Sequence, residues 1–355
     1  MRPVTEQPRR LAEILTSPTP VLALAPMQDV TDLPFWRLLS RYGGPDVYWT
    51  EYVRVHDTST IDRPVLMALL ENPTGRPAVA QLIGNDISAL VRTARELARL
   101  PVAAVDLNLG CPAPVVYRKC AGGGLLREPA RIDAILGALR EALPTGRDAV
   151  KFTVKTRLGF AHPDAFAQLL EIFARHQPDL VTVHGRTVVD MYRTEVRYGS
   201  IAQAVQRMGC PVLANGNVSS PVRAAEVLAV TGARGLMIGR GCIRNPWLFG
   251  QIRDHLAGRP LRLPVGHEVL AYVGELYAET TPHAEFCERL QVEKMKKYMN
   301  FIGEGISEAF LHQIRRAASR EDFFRICAEF LAHDRPMPLL ARPHEPLADE
   351  RQLAA

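Results

Sequence analysis

The sequence predicts an α/β fold in which a (β/α)8 TIM barrel is followed by a C-terminal helical-bundle domain. Three observations lead to this prediction. Eight short apolar runs recur within the first 241 residues, helix-length segments separate them, and strand-like runs stop after Pro260. Buried-type strands that alternate with helices are typical of a parallel sheet with crossover helices, and eight such units match a closed barrel.

Each apolar run is predicted to be one strand of the barrel. The runs cover residues 21–27, 47–53, 78–84, 103–110, 149–159, 180–186, 210–217 and 235–241. A doubly wound open sheet is the main alternative. The turn after the first run, "APMQDV", lacks the G-x-G-x-x-G pattern of dinucleotide-binding sheets and therefore favours the barrel.

The segment after the barrel has the spacing of helices. In one of its four helical runs, an apolar stripe recurs at Val292, Met295, Met299 and Ile302. The predicted domains are an N-terminal extension (1–17), a catalytic barrel (18–258), a helical bundle (262–334) and a flexible, Pro-rich tail (335–355).

Composition limits the possible function classes. Hydrophobic residues make up 47% and charged residues 23% of the 355 residues, which is ordinary for a globular protein. No apolar stretch approaches the ~18 residues of a membrane span and the N-terminus lacks a signal-peptide pattern, so a cytoplasmic protein is expected. None of the six cysteines has C-x-x-C spacing, so no metal site is expected. The net charge of +5 permits a nucleic-acid partner without requiring one.

Polar residues cluster where the predicted strands end, which is where active sites of TIM barrels lie. The seventh and eighth strands end in "NGNVSS" and "GRGC", and these glycines beside Arg240 favour a phosphate site over ordinary turns. The fifth strand places Lys151, Thr153, Lys155 and Arg157 on one face. Cations there need an anionic partner, which is either a reduced flavin or a neighbouring carboxylate.

A cysteine follows the fourth strand in "DLNLGCP". Pro112 and the neighbouring glycines, Gly110 and Gly122–Gly124, favour a loop around Cys111, although a packing role stays open. A thiol is mostly protonated at neutral pH, so it can donate a proton without special tuning.

These motifs, in this order, resemble the tRNA-dihydrouridine synthase family. The matching pieces span residues 21–245 and are "LAPMQDVTD", "TEYVRV", "VAQLIG", "DLNLGCP" with "GGGLL", "VKTRLG", "VHGRT", "ANGNV" and "MIGRG". The helical bundle resembles the family's RNA-binding domain. "TEYVRVHD" and the basic "VEKMKKYM" resemble the bacterial branch that acts on position 16 of the tRNA D-loop.

The resemblance implies a reaction and a set of site residues. Uridine in tRNA would be reduced to 5,6-dihydrouridine, with a hydride from FMN to C6, a proton from Cys111 to C5, and NADPH as the reductant. The residues implied for FMN are Pro26, Met27, Gln28, Gln81, Lys155, His184, Asn215, Gly216, Asn217, Gly239 and Arg240. Those implied for the uracil or tRNA are Arg54, Asn108, Arg157, Tyr192, Lys294 and Lys296. The implied partners are tRNA and NADPH, with no membrane and no metal, and a monomer is expected.

Three positions depart from the family pattern. Gln28 and Asn217 replace acidic residues, and Pro114 stands where a lysine is common. Three other functions stay open at this point: an FMN-dependent small-molecule oxidoreductase of the dihydroorotate dehydrogenase type, a non-redox enzyme for sugar phosphates, and an RNA-binding protein without chemistry. The presence of Cys111 and Lys155 disfavours the last.

Overall fold

The computed structural model describes residues 11–146, 149–281 and 287–340. Eight parallel strands form a closed barrel in chain order, and β8 pairs with β1 to close it. The predicted fold class is therefore confirmed. The strands are β1 (Val21–Leu24), β2 (Val47–Arg54), β3 (Ala78–Ile83), β4 (Ala104–Leu109), β5 (Lys151–Arg157), β6 (Leu180–His184), β7 (Val212–Asn215) and β8 (Gly235–Ile238).

Helices follow the strands, as the alternation predicts. In the first 256 residues they are α1 (Leu11–Leu15), α2 (Leu33–Arg41), α3 (Arg63–Leu70), α4 (Ile87–Leu97), α5 (Pro114–Tyr117), α6 (Pro129–Ala142), α7 (Phe166–His176), α8 (Tyr198–Arg207), α9 (Pro221–Thr231), α10 (Arg240–Arg244) and α11 (Leu248–Leu256). Beyond them lie α12 (Gly266–Thr280), α13 (Glu288–Ile302), α14 (Glu308–Ile314) and α15 (Arg320–Leu331). Short 3₁₀ helices cover Gly122–Arg127, Pro163–Ala165 and Gly303–Gly305.

Several strands end earlier than the apolar runs suggest. β1 stops at Leu24, because the Met27 carbonyl accepts the N–H groups of Val30 and Thr31 and turns the chain. β7 stops at Asn215, and the next two residues have positive φ angles of 128° and 50°. The predicted residues Pro26, Met27, Gly216 and Asn217 therefore lie in loops after these two strands. Other predicted residues lie within the strands themselves, near their carboxyl ends, namely Gln81, Asn108, Lys155, Arg157, His184 and Asn215.

The opposite end of the barrel is filled with apolar side chains. Leu11, Ile14 and Leu15 of α1 pack into this core, and Arg234 fixes the helix by donating to the carbonyls of Leu15 at 2.6 Å and Thr19 at 2.7 Å. Their partners include Val21, Ala23, Val47, Trp49, Val79, Ala104, Leu180, Leu213 and Met237. Part of the predicted N-terminal extension thus belongs to the barrel core, and its residues 1–10 lie outside the described residues.

Contacts divide the chain into two units. The first contains residues up to 33, 45–217 and 226–238, and the second contains 34–44, 218–225 and the chain from 239 onward. The predicted boundary between a barrel (18–258) and a helical bundle (262–334) stays a prediction.

The second unit is built on buried helix faces. All four residues of the predicted stripe in α13 are at most 1% exposed, which confirms that this face is apolar packing. Pro336 forms an isolated bridge with Val265, and Leu339 is fully buried, so residues 335–340 of the predicted tail pack within this unit. Residues 341–355 of that tail lie outside the described part. No helix among the described residues has the length and apolar character to span a bilayer.

Candidate active site

Hydrogen bonds hold the backbone of Cys111 on both sides. Asn108 Oδ1 accepts the backbone N–H groups of Gly110 and Cys111, each at 2.9 Å. The Cys111 carbonyl accepts the N–H of Gly123 at 3.2 Å. The residue is partly exposed. The loop after β4 therefore holds a partly exposed cysteine on a fixed backbone.

The glycine run packs closely against this loop. Gly122, Gly123 and Gly124 are buried in a 3₁₀ turn. A Cβ on Gly123 would lie 2.6 Å from Val188 Cγ2 and 2.7 Å from the Cys111 carbonyl oxygen. Side chains are excluded here because neighbouring atoms occupy the space.

A buried carboxylate anchors a chain of hydrogen bonds to the cysteine loop. Asp106 is fully buried and accepts Thr153 Oγ1 at 2.5 Å and Gln81 Nε2 at 2.7 Å. Gln81 Oε1 accepts Asn108 Nδ2 at 2.8 Å. Burial raises the pKa of Asp106 to about 6. The chain fixes both amide orientations and leaves Asn108 Oδ1 directed at the N–H of Cys111.

Lys155 lies beside this chain, in register with Asn108 on the neighbouring strand. Among the described residues its ammonium has no hydrogen-bond acceptor and no ion-pair partner within contact distance. Burial, and then the charge of Arg157, lowers the pKa of Lys155 to about 8, while Asp106 and Cys111 oppose that shift. A half-enclosed cation without a contacting anion suits an anionic ligand.

Arg157 joins the cysteine loop to the loop after β6. It is 2% exposed, and its Nε donates to the Gly110 carbonyl at 2.9 Å. Its Nη1 donates to the carbonyls of Thr187 and Met191, each at 2.8 Å, and the Tyr192 ring lies 5.4 Å from Cζ. Arg157 is therefore a buried brace of the site, and its predicted contact with uracil stays a prediction. Tyr192 is 45% exposed, as a contact with RNA requires.

His184 lies at the end of β6 next to Arg186, which also contacts Asn217. Arg186 Nη1 is 3.4 Å from His184 Nε2 and 3.3 Å from Asn217 Oδ1. A guanidinium can only donate, so His184 Nε2 faces Arg186 as a hydrogen-bond acceptor. Asn217 has a φ of 50°, a left-handed conformation that asparagine tolerates better than most residues. This conformation and the bond from Arg186 give a physical reason for asparagine at 217.

The loop after β1 is tied to β2 through Glu51. Gln28 Nε2 donates to Glu51 Oε2 at 3.2 Å, and the Val30 N–H donates to Oε1 at 3.1 Å. Burial, with smaller contributions from Asp32 and Asp29, raises the pKa of Glu51 to about 7. A glutamate at 28 would face this carboxylate without a proton to donate, so the amide of Gln28 fits its position.

The remaining predicted residues are distributed over both units. In the barrel unit, Pro26 and Met27 lie in the β1 loop, Asn215 Nδ2 donates to the Met237 carbonyl at 2.7 Å, and Gly216 has a φ of 128°. Arg54 ends β2, with Cζ 5.7 Å from the Tyr52 ring. In the second unit, Gly239 and Arg240 open α10, whereas Lys294 and Lys296 lie on α13. Lys296 pairs with Glu293 at 2.9 Å.

Sequence reasoning assigned no role to two buried residues inside the barrel, Asp106 and its donor Thr153. An aspartate inside the apolar run "AAVDLNLG" was the available signal for Asp106. Within the described residues, no cluster of three or more His, Cys, Asp or Glu side chains could hold a metal ion.

Comparisons with solved structures give likenesses of the fold. The barrel is similar to histamine dehydrogenase from Rhizobium sp. 4-9, with a TM-score of 0.52, 14% identity, and coverage of 68% of this chain and 48% of that one. It is also similar to TcOYE with pHBA, with a TM-score of 0.50, 11% identity, and coverage of 72% and 96%.

Sequence comparisons identify the family. The family model described as dihydrouridine synthase matches residues 23–327. The chain is 33% identical to tRNA-dihydrouridine synthase B of Pseudomonas aeruginosa over 79% of this chain and 82% of that protein. It is 31% identical to tRNA-dihydrouridine(16) synthase of Pseudomonas putida, over 81% and 90%, and 29% identical to the synthase of that name from Neisseria meningitidis, over 87% and 94%. A match over most of the chain, with Cys111 held at the barrel mouth, shows that this protein belongs to the dihydrouridine synthase family.

Proposed function

We propose that this protein reduces uridine in tRNA to 5,6-dihydrouridine, with FMN as the cofactor, NADPH as the reductant and Cys111 as the proton donor. The observation that carries the proposal is the setting of Cys111. Its backbone is fixed by Asn108 and Gly123, the residue is partly exposed, and it lies close enough to Lys155 on the neighbouring strand to oppose the lowering of the Lys155 pKa. Family membership supplies the reaction class.

The barrel residues fit a flavin. Lys155 offers an ammonium without an acceptor among the described residues, and it lies beside the amide of Asn108. When bound, reduced FMN supplies the hydride for C6 of uracil. Lys155 would stabilise the negative charge of the reduced ring, and Gln81 and His184 would contribute further polar contacts from β3 and β6. The phosphate-binding roles of Asn215 to Asn217 and of Gly239 and Arg240 stay predictions.

The chain itself moves one proton. Reduction of the C5–C6 double bond needs a proton at C5, and the Cys111 S–H bond breaks to provide it. The electron pair stays on sulfur, and water returns a proton afterwards. Asn108 orients the loop that carries the thiol, while Arg157 holds the Gly110 carbonyl in place. A positioned acid typically contributes about 10²–10⁴-fold in rate.

We further propose that residues 262–334 recognise tRNA and that the target is position 16 of the D-loop. The support for position 16 is that the relatives named for it match over 90% and 94% of their own length. Lys294 and Lys296 would contact phosphates from α13.

Cys111→Ala tests the proton-donor role. The variant should retain FMN and its reduction by NADPH, whereas uridine reduction by pre-reduced enzyme should fall about 10²–10⁴-fold in a single-turnover assay. Cys120→Ala is the matched control, because Cys120 lies in the same loop and is also partly exposed. Normal turnover by Cys111→Ala would remove the thiol from the mechanism. Activity on free uridine or dihydroorotate, without activity on unmodified tRNA, would favour the small-molecule oxidoreductase.

A further inference from the structure

A bulge interrupts the pairing of β2 with β3 just before the site. Tyr48 pairs with Ala78 and Trp49 with Val79, and the next pair is Tyr52 with Gln81. Between the last two pairs, β2 advances by three residues and β3 by two. The Thr50 side chain accepts the Gln81 backbone N–H at 3.1 Å and so stabilises the irregular step. β2 therefore carries one extra residue at Thr50–Glu51.

The extra residue reverses the direction in which Tyr52 points. Trp49 and Val79 belong to the apolar interior of the barrel. Side chains alternate along a strand, so a regular β2 would turn Tyr52, three residues later, to the outer face. The bulge instead aligns Tyr52 with Gln81, whose side chain bonds to Asp106 inside the barrel. Bulges are over-represented beside active sites, where they re-aim a side chain in this way.

In this orientation the Tyr52 side chain lies beside Cys111. Tyr52 is 9% exposed and forms a small apolar cluster with Ile83 and Val116, and Cys111 packs against this cluster. Cys111 thus lies beside the Tyr52 side chain, and Arg54 Cζ lies 5.7 Å from the centroid of the Tyr52 ring. Burial first, and then the proximity of Cys111, raises the pKa of Tyr52, so its hydroxyl keeps its proton under physiological conditions.

We propose that Tyr52 is a positioning residue whose hydroxyl donates a hydrogen bond to Cys111 Sγ and stabilises the thiolate that remains after the thiol has protonated C5. This inference rests on the proposed proton-donor role of Cys111. Tyr52 keeps its own proton throughout, and the sulfur is reprotonated by water. Arg54 lies beside the same ring, with Cζ 5.7 Å from its centroid, and its positive charge would make the phenol O–H a stronger donor.

Tyr52→Phe removes the hydroxyl and keeps the ring that packs against Ile83 and Val116. The readout is the pH dependence of alkylation by iodoacetamide, followed by mass spectrometry at the Cys111 peptide of the FMN-loaded enzyme. Loss of a donor to a charged acceptor should move the midpoint for Cys111 upward by about one pH unit. Single-turnover reduction of unmodified tRNA should slow by up to roughly tenfold, since one such unit is worth a factor of ten in rate when the proton is fully transferred in the transition state.

Tyr117→Phe is the matched control. Tyr117 lies in α5 of the same loop, its ring packs edge-on to Phe160, and its hydroxyl has no hydrogen bond among the described residues. We expect neither readout to change in this variant. FMN content and NADPH oxidation without tRNA should stay normal in both variants.

The two readouts separate this inference from the function on which it rests. An unchanged alkylation midpoint in Tyr52→Phe would overturn the inference whatever the activity. A shifted midpoint with an unchanged rate would overturn it too, because the thiolate would then not matter for turnover. Failure of the wild-type enzyme to reduce tRNA would instead refute the proposed function, and the alkylation profile would still report the contact between Tyr52 and Cys111.

Discussion

Gly123→Ala tests whether close packing holds the Cys111 loop in place. The added methyl group would lie 2.6 Å from Val188 Cγ2 and 2.7 Å from the Cys111 carbonyl oxygen. Carbon atoms normally approach to about 3.5–4.0 Å, so the neighbours must move by about 1 Å. Overpacking of this size typically costs about 1–3 kcal/mol of unfolding free energy. The displaced oxygen is the carbonyl of Cys111, which accepts the N–H of Gly123. A shift of this backbone group should therefore also move the Cys111 thiol.

The expected result is a loss of both stability and rate. A misplacement of about 1 Å can cost about 10²-fold in rate, so we expect single-turnover reduction of tRNA to fall between ~10-fold and ~100-fold. Reduction of FMN by NADPH should change little, because it needs no proton from Cys111. Thermal unfolding measures the stability loss, and a quenched-flow assay measures the rate.

Gly199→Ala is the control for the substitution itself. Gly199 lies in α8 with nothing within 4 Å of an added Cβ, so alanine there should be neutral or stabilising by up to ~1 kcal/mol. Wild-type stability and turnover in Gly123→Ala would refute the packing argument.

Two further predictions concern charge. Lys155→Met should weaken FMN binding and lower the flavin potential. In the wild type we expect FMN affinity to fall as pH rises through about 8, where Lys155 loses its charge. Lys155→Met should abolish this pH dependence. Fluorescence titrations with FMN from pH 6 to pH 10 that give the same curve for both proteins would contradict this prediction. Lys294→Ala with Lys296→Ala should weaken tRNA binding and reduce its salt slope by roughly 1 for each lost phosphate contact, with the smaller share from Lys296 because Glu293 already pairs with it. Wild-type affinity across a salt titration would leave tRNA contacts to other surfaces.

The barrel was predictable because its strands are buried on both faces. Such strands appear in a sequence as short apolar runs, and eight of them alternate with helices here. The runs overestimate strand length, because Ala25 to Met27 are apolar although the Met27 carbonyl already turns the chain. The position of Cys111 in a loop was predictable for a different reason, since Pro112 and the neighbouring glycines favour a loop after β4. The roles proposed for Cys111 and Lys155 stay predictions.

The register of the strands was not predictable, and the missed residues depend on it. Asp106 meets Gln81 and Thr153 only because β4 lies between β3 and β5 in one particular alignment. Tyr52 is a stronger case. Counting along "VYWTEYV" places it on the outer face, and only the bulge, which Thr50 stabilises from β2, turns it inward. A bulge leaves no local pattern in the sequence, because its stabilising partner lies on another strand.

The buried carboxylate of Asp106 links the stability of the barrel to the geometry of its cysteine. Burying an ionised carboxylate away from water is unfavourable, and the pKa of Asp106, raised by burial to about 6, reflects that cost. An apolar residue would remove the cost, but it would leave Gln81 Nε2 without its acceptor. An amide has two orientations, and a group that only accepts hydrogen bonds selects one of them. Ionised Asp106 selects the orientation of Gln81, and Gln81 in turn directs Asn108 Oδ1 at the Cys111 N–H. The unfavourable burial of one charge therefore orients the loop that carries Cys111.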